Sequence, residues 1–187
     1  KRRLHGKKYF HELLERVEEI PPSVKDLLKL SRASFEMFRD VQKRLIAGLR
    51  DNDLIRERVR HLVTIRGVGE VTALTWALEI GDPLRFSSIR QAISYCGLCS
   101  AQKESAGQEQ RGPISKKRNK HLQTMLIEAA KIAPTWNPQL AVVHERELKK
   151  GNRNRATIAV ARRLVAYMMA VDKAQTDFIL HEEMKAA

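Results

Sequence analysis

The sequence has no apolar run close to the roughly 20 residues that a membrane-spanning helix needs, and no signal peptide or lipidation motif. We therefore expect no membrane partner. It also lacks the His-Glu-x-x-His zinc motif and the Gly-x-x-x-x-Gly-Lys-Ser/Thr phosphate loop. The 22 acidic residues are mostly spread along helix surfaces beside bases, whereas a metal-dependent nuclease needs clustered carboxylates. We expect neither metal nor cofactor on this chain.

Cysteine is scarce as well, with only Cys96 and Cys99, spaced as Cys-Gly-Leu-Cys. A redox motif of this kind belongs on a βαβ unit, and no segment has a convincing strand pattern. A structural zinc site needs four ligands, which only His121 and His144 could complete. We therefore expect two reduced thiols in a cytoplasmic protein.

Positive charge is abundant. Lys and Arg number 35, and the net charge of the 187 residues is +13. The excess is +6 in residues 1–60 and +7 in residues 101–187, while residues 61–100 are neutral. Such an excess favours a polyanionic partner, and nucleic acid is the favoured one because no membrane segment is present. The simpler alternative is that the charge only keeps the protein in solution.

The spacing of apolar residues predicts an all-α protein with a long helical arm at residues 1–60, a compact helical domain at 61–175 and a tail at 176–187. A short helix is predicted from Phe10 to Ile20, and one long helical pattern from Val24 to about Arg60. Within that pattern, residues at 3-4 spacing form a coiled-coil-like seam: Phe38, Val41, Leu45, Gly48, Asn52, Ile55 and Val59. We favour dimerisation through this arm. Alternatively, the Asp51-Asn52-Asp53 cluster breaks it into a helical hairpin.

The stretch Ile65-Arg66-Gly67-Val68-Gly69 resembles the turn of a helix-hairpin-helix module, with the second helix starting near Glu70. Glycines there permit a close backbone approach, and the free N–H groups at a helix start can hold a phosphate. The expected contacts are Arg66, Gly67, Val68, Gly69 and Thr72. The alternative is an ordinary tight turn whose glycines serve packing only.

Apolar periodicity stops at Leu98 and resumes at Leu122, which leaves a long polar loop. Its second half carries bases without an acid, and we expect a helix to begin at Ile114 or Ser115. Cations there would oppose the helix dipole, whereas a bound phosphate would stabilise them. The residues assigned to nucleic-acid binding in this part of the chain are Gly107, Arg111, Ser115, Lys116, Lys117, Arg118, Asn119 and Lys120, with Arg153 and Arg155 at the last helix. From spacing alone, Ser105 is an ordinary loop serine.

Several segments in series resemble one family: Ile65-Arg-Gly-Val-Gly-x-x-Thr-Ala, Glu79-Ile-Gly-Asp-Pro-x-Arg-Phe, Tyr95-Cys-Gly-Leu, Ser105-x-Gly107, Arg111-Gly-x-Ile-Ser-Lys and Asn119-x-x-Leu122. Over about residues 60–170 the chain is similar to the C-terminal half of the DEDD-type transposases of bacterial insertion sequences, the group that includes the Piv-type pilin-gene invertase.

The resemblance implies that Ser105 is a nucleophile that forms a covalent phosphoserine link to DNA. It also implies an N-terminal RuvC-like domain that binds magnesium through four acids, a structured guide RNA as a partner beside DNA, and a homodimer or tetramer. The sequence starts at Lys1 without a methionine, so we expect a piece of a longer protein in the bacterial cytoplasm, associated with the nucleoid. Without the acidic domain this chain would bind nucleic acid but not cut it.

Two other interpretations remain open at this point. The chain could be a standalone helix-hairpin-helix module that binds particular DNA structures without catalysis, in which case its binding would not depend on Ser105. It could also be an RNA-binding scaffold without any chemistry.

All three interpretations predict that binding to nucleic acid weakens steeply with salt, because each neutralised phosphate releases counterions. We expect the logarithm of the binding constant to fall linearly with the logarithm of salt concentration, by about 0.7 to 0.9 for each phosphate contacted. Fluorescence anisotropy with a labelled oligonucleotide would measure this slope. A flat titration would contradict all three.

Overall fold

The computed structural model describes residues 6–105, 108–114 and 118–179. It divides into two compact units, Lys1–Gly48 and Leu49–Ala187. The described residues form eight α-helices and one β-hairpin. The helical class is confirmed, but the expectation that the chain contains no strand is wrong.

The first unit contains α1 (Lys7–Arg16) and most of α2 (Pro22–Arg50). Here the guanidinium of Arg32 lies 5.4 Å from the ring centroid of Phe10 and pairs with Glu36 at 2.8 Å. The arm's apolar residues are largely uncovered: Leu27, Leu30, Phe35, Phe38 and Leu45 are each at least half exposed. Dimerisation through this arm stays a prediction.

The single long helix predicted up to Arg60 is wrong, because α2 ends at Arg50 and α3 spans Arg56–Val63. The break falls at the aspartate-rich cluster, where the side chain of Asn52 accepts a hydrogen bond from the Leu54 N–H at 2.9 Å. An Asn side chain that bonds the backbone two residues on replaces a helical turn. Val59 is therefore not a seam residue of the arm but is buried in the second unit, with 3% exposure.

The second unit is built on α8 (Arg153–Ala174), which contacts α3, α5 (Ile89–Tyr95), α6 (Lys120–Trp136) and α7 (Pro138–Leu148). The helix α4 (Glu70–Ile80) packs on α3 and α6, and a short 3₁₀ turn at Pro83–Arg85 follows it. The unit begins at Leu49 rather than at residue 61 because α3 packs with it. After α8 the chain packs back on that helix as far as Phe178, whose ring centroid lies 4.8 Å from that of Tyr167.

The starts of α5 and α8 follow ordinary capping chemistry. Ser88 and Asn152 accept hydrogen bonds from the N–H groups of Gln91 and Arg155, as N-cap side chains do. The helix expected to begin at Ile114 or Ser115 instead begins at Lys120, because Ile114 belongs to the second strand and Asn119 is the cap.

The hairpin consists of β1 (Ser100–Ser105) and β2 (Gln108–Ile114) in antiparallel pairing. Its register shifts between the Ser100–Ile114 pair and the Gln102–Arg111 pair, so β2 contains one extra residue there. That is a β-bulge, and it falls at Gly112-Pro113, where proline can donate no ladder hydrogen bond. Both strands are nearly free of apolar residues, so they lack the alternation by which a half-buried strand is recognised.

A buried carboxylate joins three helices of the second unit. The side chain of Asp172 on α8 is fully buried and accepts two hydrogen bonds from Arg58 on α3, each 2.8 Å long. It also accepts one from the indole N–H of Trp76 on α4 at 2.9 Å. A buried charge is tolerated when its partners satisfy it, and removing one partner leaves the other unpaired.

We expect Asp172→Ala to lower the free energy of unfolding by about 3–5 kcal/mol, because Arg58 and Trp76 would both lose their buried acceptor. The matched control is Asp53→Ala, which removes an exposed carboxylate paired with Arg56 at 2.6 Å and should cost less than about 1 kcal/mol. Urea unfolding followed by circular dichroism measures both. Equal losses in the two variants would contradict the role given to Asp172.

Candidate nucleic-acid interface

The turn Tyr95–Leu98 anchors the base of the hairpin. The side chain of Gln123 on α6 donates a hydrogen bond to the Gly97 carbonyl at 2.6 Å. Arg162 on α8 donates through Nε to the Leu98 carbonyl at 2.8 Å. Both carbonyls belong to fully buried or nearly buried backbone, where an unmatched acceptor would be costly. The start of β1 is thus held by two different helices.

Asn119 ties the other end of the hairpin to the same place. Its N–H donates to the Tyr95 carbonyl at 3.1 Å, and its side-chain oxygen accepts from the Leu122 N–H at 3.0 Å to cap α6. Its side-chain nitrogen donates to Glu79 Oε2 at 2.6 Å. We predicted that Asn119 contacts nucleic acid, but in this structure its polar atoms make contacts within the protein.

Gly97 is required by geometry. Its φ of +68° lies in the left-handed region, and a Cβ added there would meet the side chain of Arg118, including Cδ at 2.8 Å. Arg118, one of the predicted phosphate ligands, therefore passes directly over the glycine. It is half-buried rather than extended into solvent.

Ser105 is the last residue of β1, and its Cα is paired with that of Gln108, the first residue of β2. It therefore lies at the end of the hairpin that is remote from the base. The backbone of Arg111 belongs to β2, on the side of the bulge toward that end. The predicted ligands Gly107, Ser115, Lys116 and Lys117 lie outside the described residues, as do the side chains of Ser105 and Arg111.

Few bases of this stretch can oppose the dipole of α6. The helix begins at Lys120, Arg118 precedes the cap, and Arg111 belongs to β2. Of these three bases, only Lys120 therefore lies in the first turn of the helix. The exposed Lys120 remains a predicted contact.

The Gly67–Gly69 turn connects α3 and α4, and the second helix starts at Glu70 as predicted. Gly67 has φ +100°, and a Cβ there would lie 2.5 Å from the Cβ of Ala133 on α6. Packing alone therefore explains this glycine. Of the other predicted contacts, Val68 and Thr72 are buried and Arg66 is exposed, while Gly69 caps α4 with open space around its α-carbon.

The structure does not bring these two predicted sites together. The turn at Gly67 packs on Ala133, near the C-terminal end of α6, whereas Asn119 and the hairpin base lie at its N-terminus. At 1.5 Å per residue, the 14 steps from residue 119 to residue 133 span about 20 Å. Each site therefore has to be judged separately.

A groove beside the hairpin base contains four arginines. It has a volume of about 1270 Å³, and the sequence analysis had assigned only Arg155 among them. We call it the arginine groove and define it by Arg146, Arg155, Arg162 and Arg163; the residues Ser100, Gly112 and Ile114 of the hairpin also line it. Two of the residues that were not assigned carried a sequence signal. Arg162 and Arg163 follow Arg155 by seven and eight positions, which places them on one helix face. Arg153 is exposed in the first turn of α8.

The two cysteines differ in exposure. Both are free, and burial raises the pKa of the Cys96 thiol to about 12, so it stays protonated at neutral pH, whereas the thiolate is the reactive and ligating form. Cys99 is half-buried. Within the described residues, no three His, Cys, Asp or Glu side chains lie close enough to hold a metal ion.

No helix in the described part of the chain combines the length and apolarity needed to cross a membrane.

The second unit presents a polar hairpin whose base adjoins a basic groove. This arrangement is suited to binding a polyanion. The comparison with known proteins points to proteins that act on nucleic acid.

Residues 59–145, just under half of the chain, match the model of the transposase IS116/IS110/IS902 family. The segment begins in α3 and ends in α7, so it contains the Gly67–Gly69 turn, the hairpin and its anchoring turn. The chain therefore carries a segment similar to the transposase domain of that family.

Individual proteins similar to this chain are also named as transposases. A probable family 20 transposase of Pseudomonas aeruginosa is 34% identical over 74 residues, which are 40% of this chain and 22% of that protein. The transposase for insertion sequence element IS1328 of Yersinia enterocolitica is 28% identical over 118 residues, 61% of this chain and 34% of that protein. A transposase for insertion sequence element IS1111A of Coxiella burnetii is 33% identical over 51% of this chain and 25% of its own length. The matched part is thus between 22% and 34% of each relative's length.

The contact between Gly97 and Arg118 gives a test of the anchoring turn. We expect Gly97→Ala to destabilise the protein by about 2 kcal/mol or more, because it combines left-handed strain with displacement of Arg118. Gly151→Ala is the matched control, since Gly151 also has a positive φ, +89°, but no atom within 4 Å of an added Cβ. That variant should lose only about 1 kcal/mol. Thermal unfolding compares the two, and indistinguishable losses would show that Arg118 yields without cost.

Proposed function

We propose that the chain is the DNA-binding, serine-bearing C-terminal region of an insertion-sequence transposase of the DEDD, Piv-related type. The observation that carries the proposal is the position of Ser105 at the remote end of a hairpin whose base is fixed by three helix-derived contacts. The similarity of residues 59–145 to a transposase family supports it. A nucleophile at the remote end of an anchored hairpin can reach a phosphate of the DNA backbone.

In this proposal, Oγ of Ser105 gives up its proton and attacks a DNA phosphorus, a P–O bond to the serine forms, and a deoxyribose oxygen leaves and takes up a proton. The phosphoserine link preserves the energy of the phosphodiester until a new DNA hydroxyl attacks it. An unassisted serine hydroxyl is a weak nucleophile. The proposal assigns this activation to magnesium, which a RuvC-like domain of the full-length protein would hold.

The remaining features of the proposal concern partners. DNA phosphates would be held by the basic residues that flank the hairpin and by the amides at the start of α4, in a helix-hairpin-helix manner. A guide RNA would supply sequence recognition, and the exposed apolar residues of α2 would assemble two or four chains in the bacterial cytoplasm at the nucleoid. This chain alone would bind nucleic acid without cutting it.

Replacement of the serine tests the catalytic part. In the full-length transposase we expect Ser105→Ala to reduce strand exchange by at least about three orders of magnitude, since removing a nucleophile leaves only background catalysis. DNA affinity should change by less than about twofold, because no phosphate contact is lost. The matched control is Ser87→Ala, an exposed serine of the same unit that lies outside both proposed sites, which should retain exchange.

The covalent intermediate gives a second measurement. With radiolabelled DNA, the unaltered protein and Ser87→Ala should each form a protein–DNA adduct that survives denaturing electrophoresis, and Ser105→Ala should form none. Undiminished strand exchange by Ser105→Ala would overturn the assignment of the nucleophile. Loss of DNA binding together with exchange would show that Ser105 acts in binding instead.

A further inference from the structure

The arginine groove is well placed to hold a ligand, yet the proposed chemistry at Ser105 does not use it. It lies between α5, the C-terminal part of α7, the first half of α8 and the hairpin base. Arg146, Arg155 and Arg163 are exposed, whereas Arg162 is half-buried and bound to the Leu98 carbonyl. Three guanidinium groups therefore line the rim, and the fourth supports the hairpin.

One carboxylate shares the groove with the arginines. Glu147 pairs with Lys150 at 2.8 Å and with Arg146 at 3.7 Å. The hydrogen bond from Lys150, followed by the nearby positive charges of Lys150, Arg146 and Arg155, lowers the pKa of Glu147. The carboxylate is charged at neutral pH and its charge is balanced by Lys150, so the groove keeps a clear positive excess.

The floor between these arginines is aliphatic. The residues that form it are only partly covered by the protein: Ile89, Ile93, Ile114, Val143 and Ile158. Ile158 lies on α8 beside Ala161, Val165 and Met168, which are fully buried, but Ile158 itself lines the groove. An apolar floor under a cationic rim needs a ligand with both an apolar surface and repeated negative charges.

The dimensions favour a polymer. The groove's volume of about 1270 Å³ exceeds the roughly 300–1,000 Å³ of pockets that enclose small ligands. A DNA duplex would place phosphates on the rim, but its stacked bases would leave the aliphatic floor uncovered. In a single strand the bases are unstacked and can turn toward apolar or guanidinium surfaces while the phosphates face cations.

We propose that the arginine groove binds a single-stranded segment of nucleic acid, with its phosphates on Arg146, Arg155 and Arg163 and its bases against the aliphatic floor. The proposal rests on the proposed function in taking nucleic acid as the polyanion and Ser105 as the residue that reacts with it. Because the groove adjoins the base of β1, and six strand residues rise about 20 Å, the bound strand lies within one hairpin length of Ser105. The groove holds a strand that has been separated from its complement near the reacting phosphate.

The test uses this 187-residue chain and three fluorescein-labelled probes: a 20-nucleotide oligo-dT, a 20-nucleotide oligo-U and a 20-base-pair duplex. We expect both single strands to bind about tenfold more tightly than the duplex. The double variant Arg155→Gln/Arg163→Gln should weaken single-strand binding about tenfold at low salt. It should also reduce the salt slope by about 1.4, since each phosphate contact contributes about 0.7.

The matched control is Lys43→Gln/Arg44→Gln, which removes the same charge from two exposed residues of α2. Its affinity for single strands should stay within about twofold of the unaltered chain. Circular dichroism establishes that both variants fold. Glu147→Gln should change single-strand affinity in the opposite direction. Removing the groove's carboxylate should strengthen binding.

The outcomes separate the two proposals. Unchanged single-strand affinity in the groove variant, or an equal loss in the α2 control, overturns the groove assignment and leaves the proposed transposase function standing. Equal binding of duplex and single strands by all variants overturns it too. Binding of an acidic peptide in preference to all three probes would assign the groove to a protein partner. No binding of any nucleic acid contradicts both proposals. A difference between oligo-dT and oligo-U tells DNA from RNA as the ligand.

Discussion

Hydrogen bonds to the carbonyls of the Tyr95–Leu98 turn are the constraint on which the rest of the candidate site depends. One comes from the backbone at the start of α6, one from a side chain within α6 and one from α8. A hairpin with two polar faces cannot fix its own direction by burying apolar surface. Its orientation relative to the helices has to come from these contacts, together with the pairing of Ser100 with Ile114.

The residues that carried the family resemblance are explained by the same constraint. Glu79, Tyr95 and Asn119 are separated by up to 40 positions, yet the Asn119 amide donates to the Glu79 carboxylate and the Tyr95 hydroxyl donates to the Glu79 carbonyl. Arg85 lies 4.5 Å from the ring centroids of both Phe86 and Tyr95. These residues hold the base together. The resemblance carried by these residues therefore concerns the framework of the hairpin base. The chemistry of Ser105 is a separate inference.

The helical class, the boundaries of α4 and the caps at Ser88 and Asn152 could be predicted because they depend on local periodicity and on short-range hydrogen bonds. The hairpin could not, because its strands carry no apolar alternation, and the break at Asn52 was weighed only as an alternative because helix propensity continues on both sides of it. The groove was missed for a different reason. Its arginines come from α7 and α8, and their shared surface exists only once those helices pack beside α5 and the hairpin.

Gly67 and Gly97 show how similar sequence features acquire different meanings. Both have positive φ and both would clash if substituted, but Gly67 clashes with the core residue Ala133 and Gly97 with the cationic Arg118. Gly67 packs against the C-terminal end of α6, and Gly97 packs against Arg118 just before its N-terminus. The helix therefore separates the two turns by about 20 Å. On duplex DNA that length corresponds to about six base pairs, or somewhat more than half a helical turn. Under the proposal that both ends hold phosphates, one straight duplex would turn nearly opposite faces of its backbone toward them, so the two ends would hold different strands or different nucleic-acid segments.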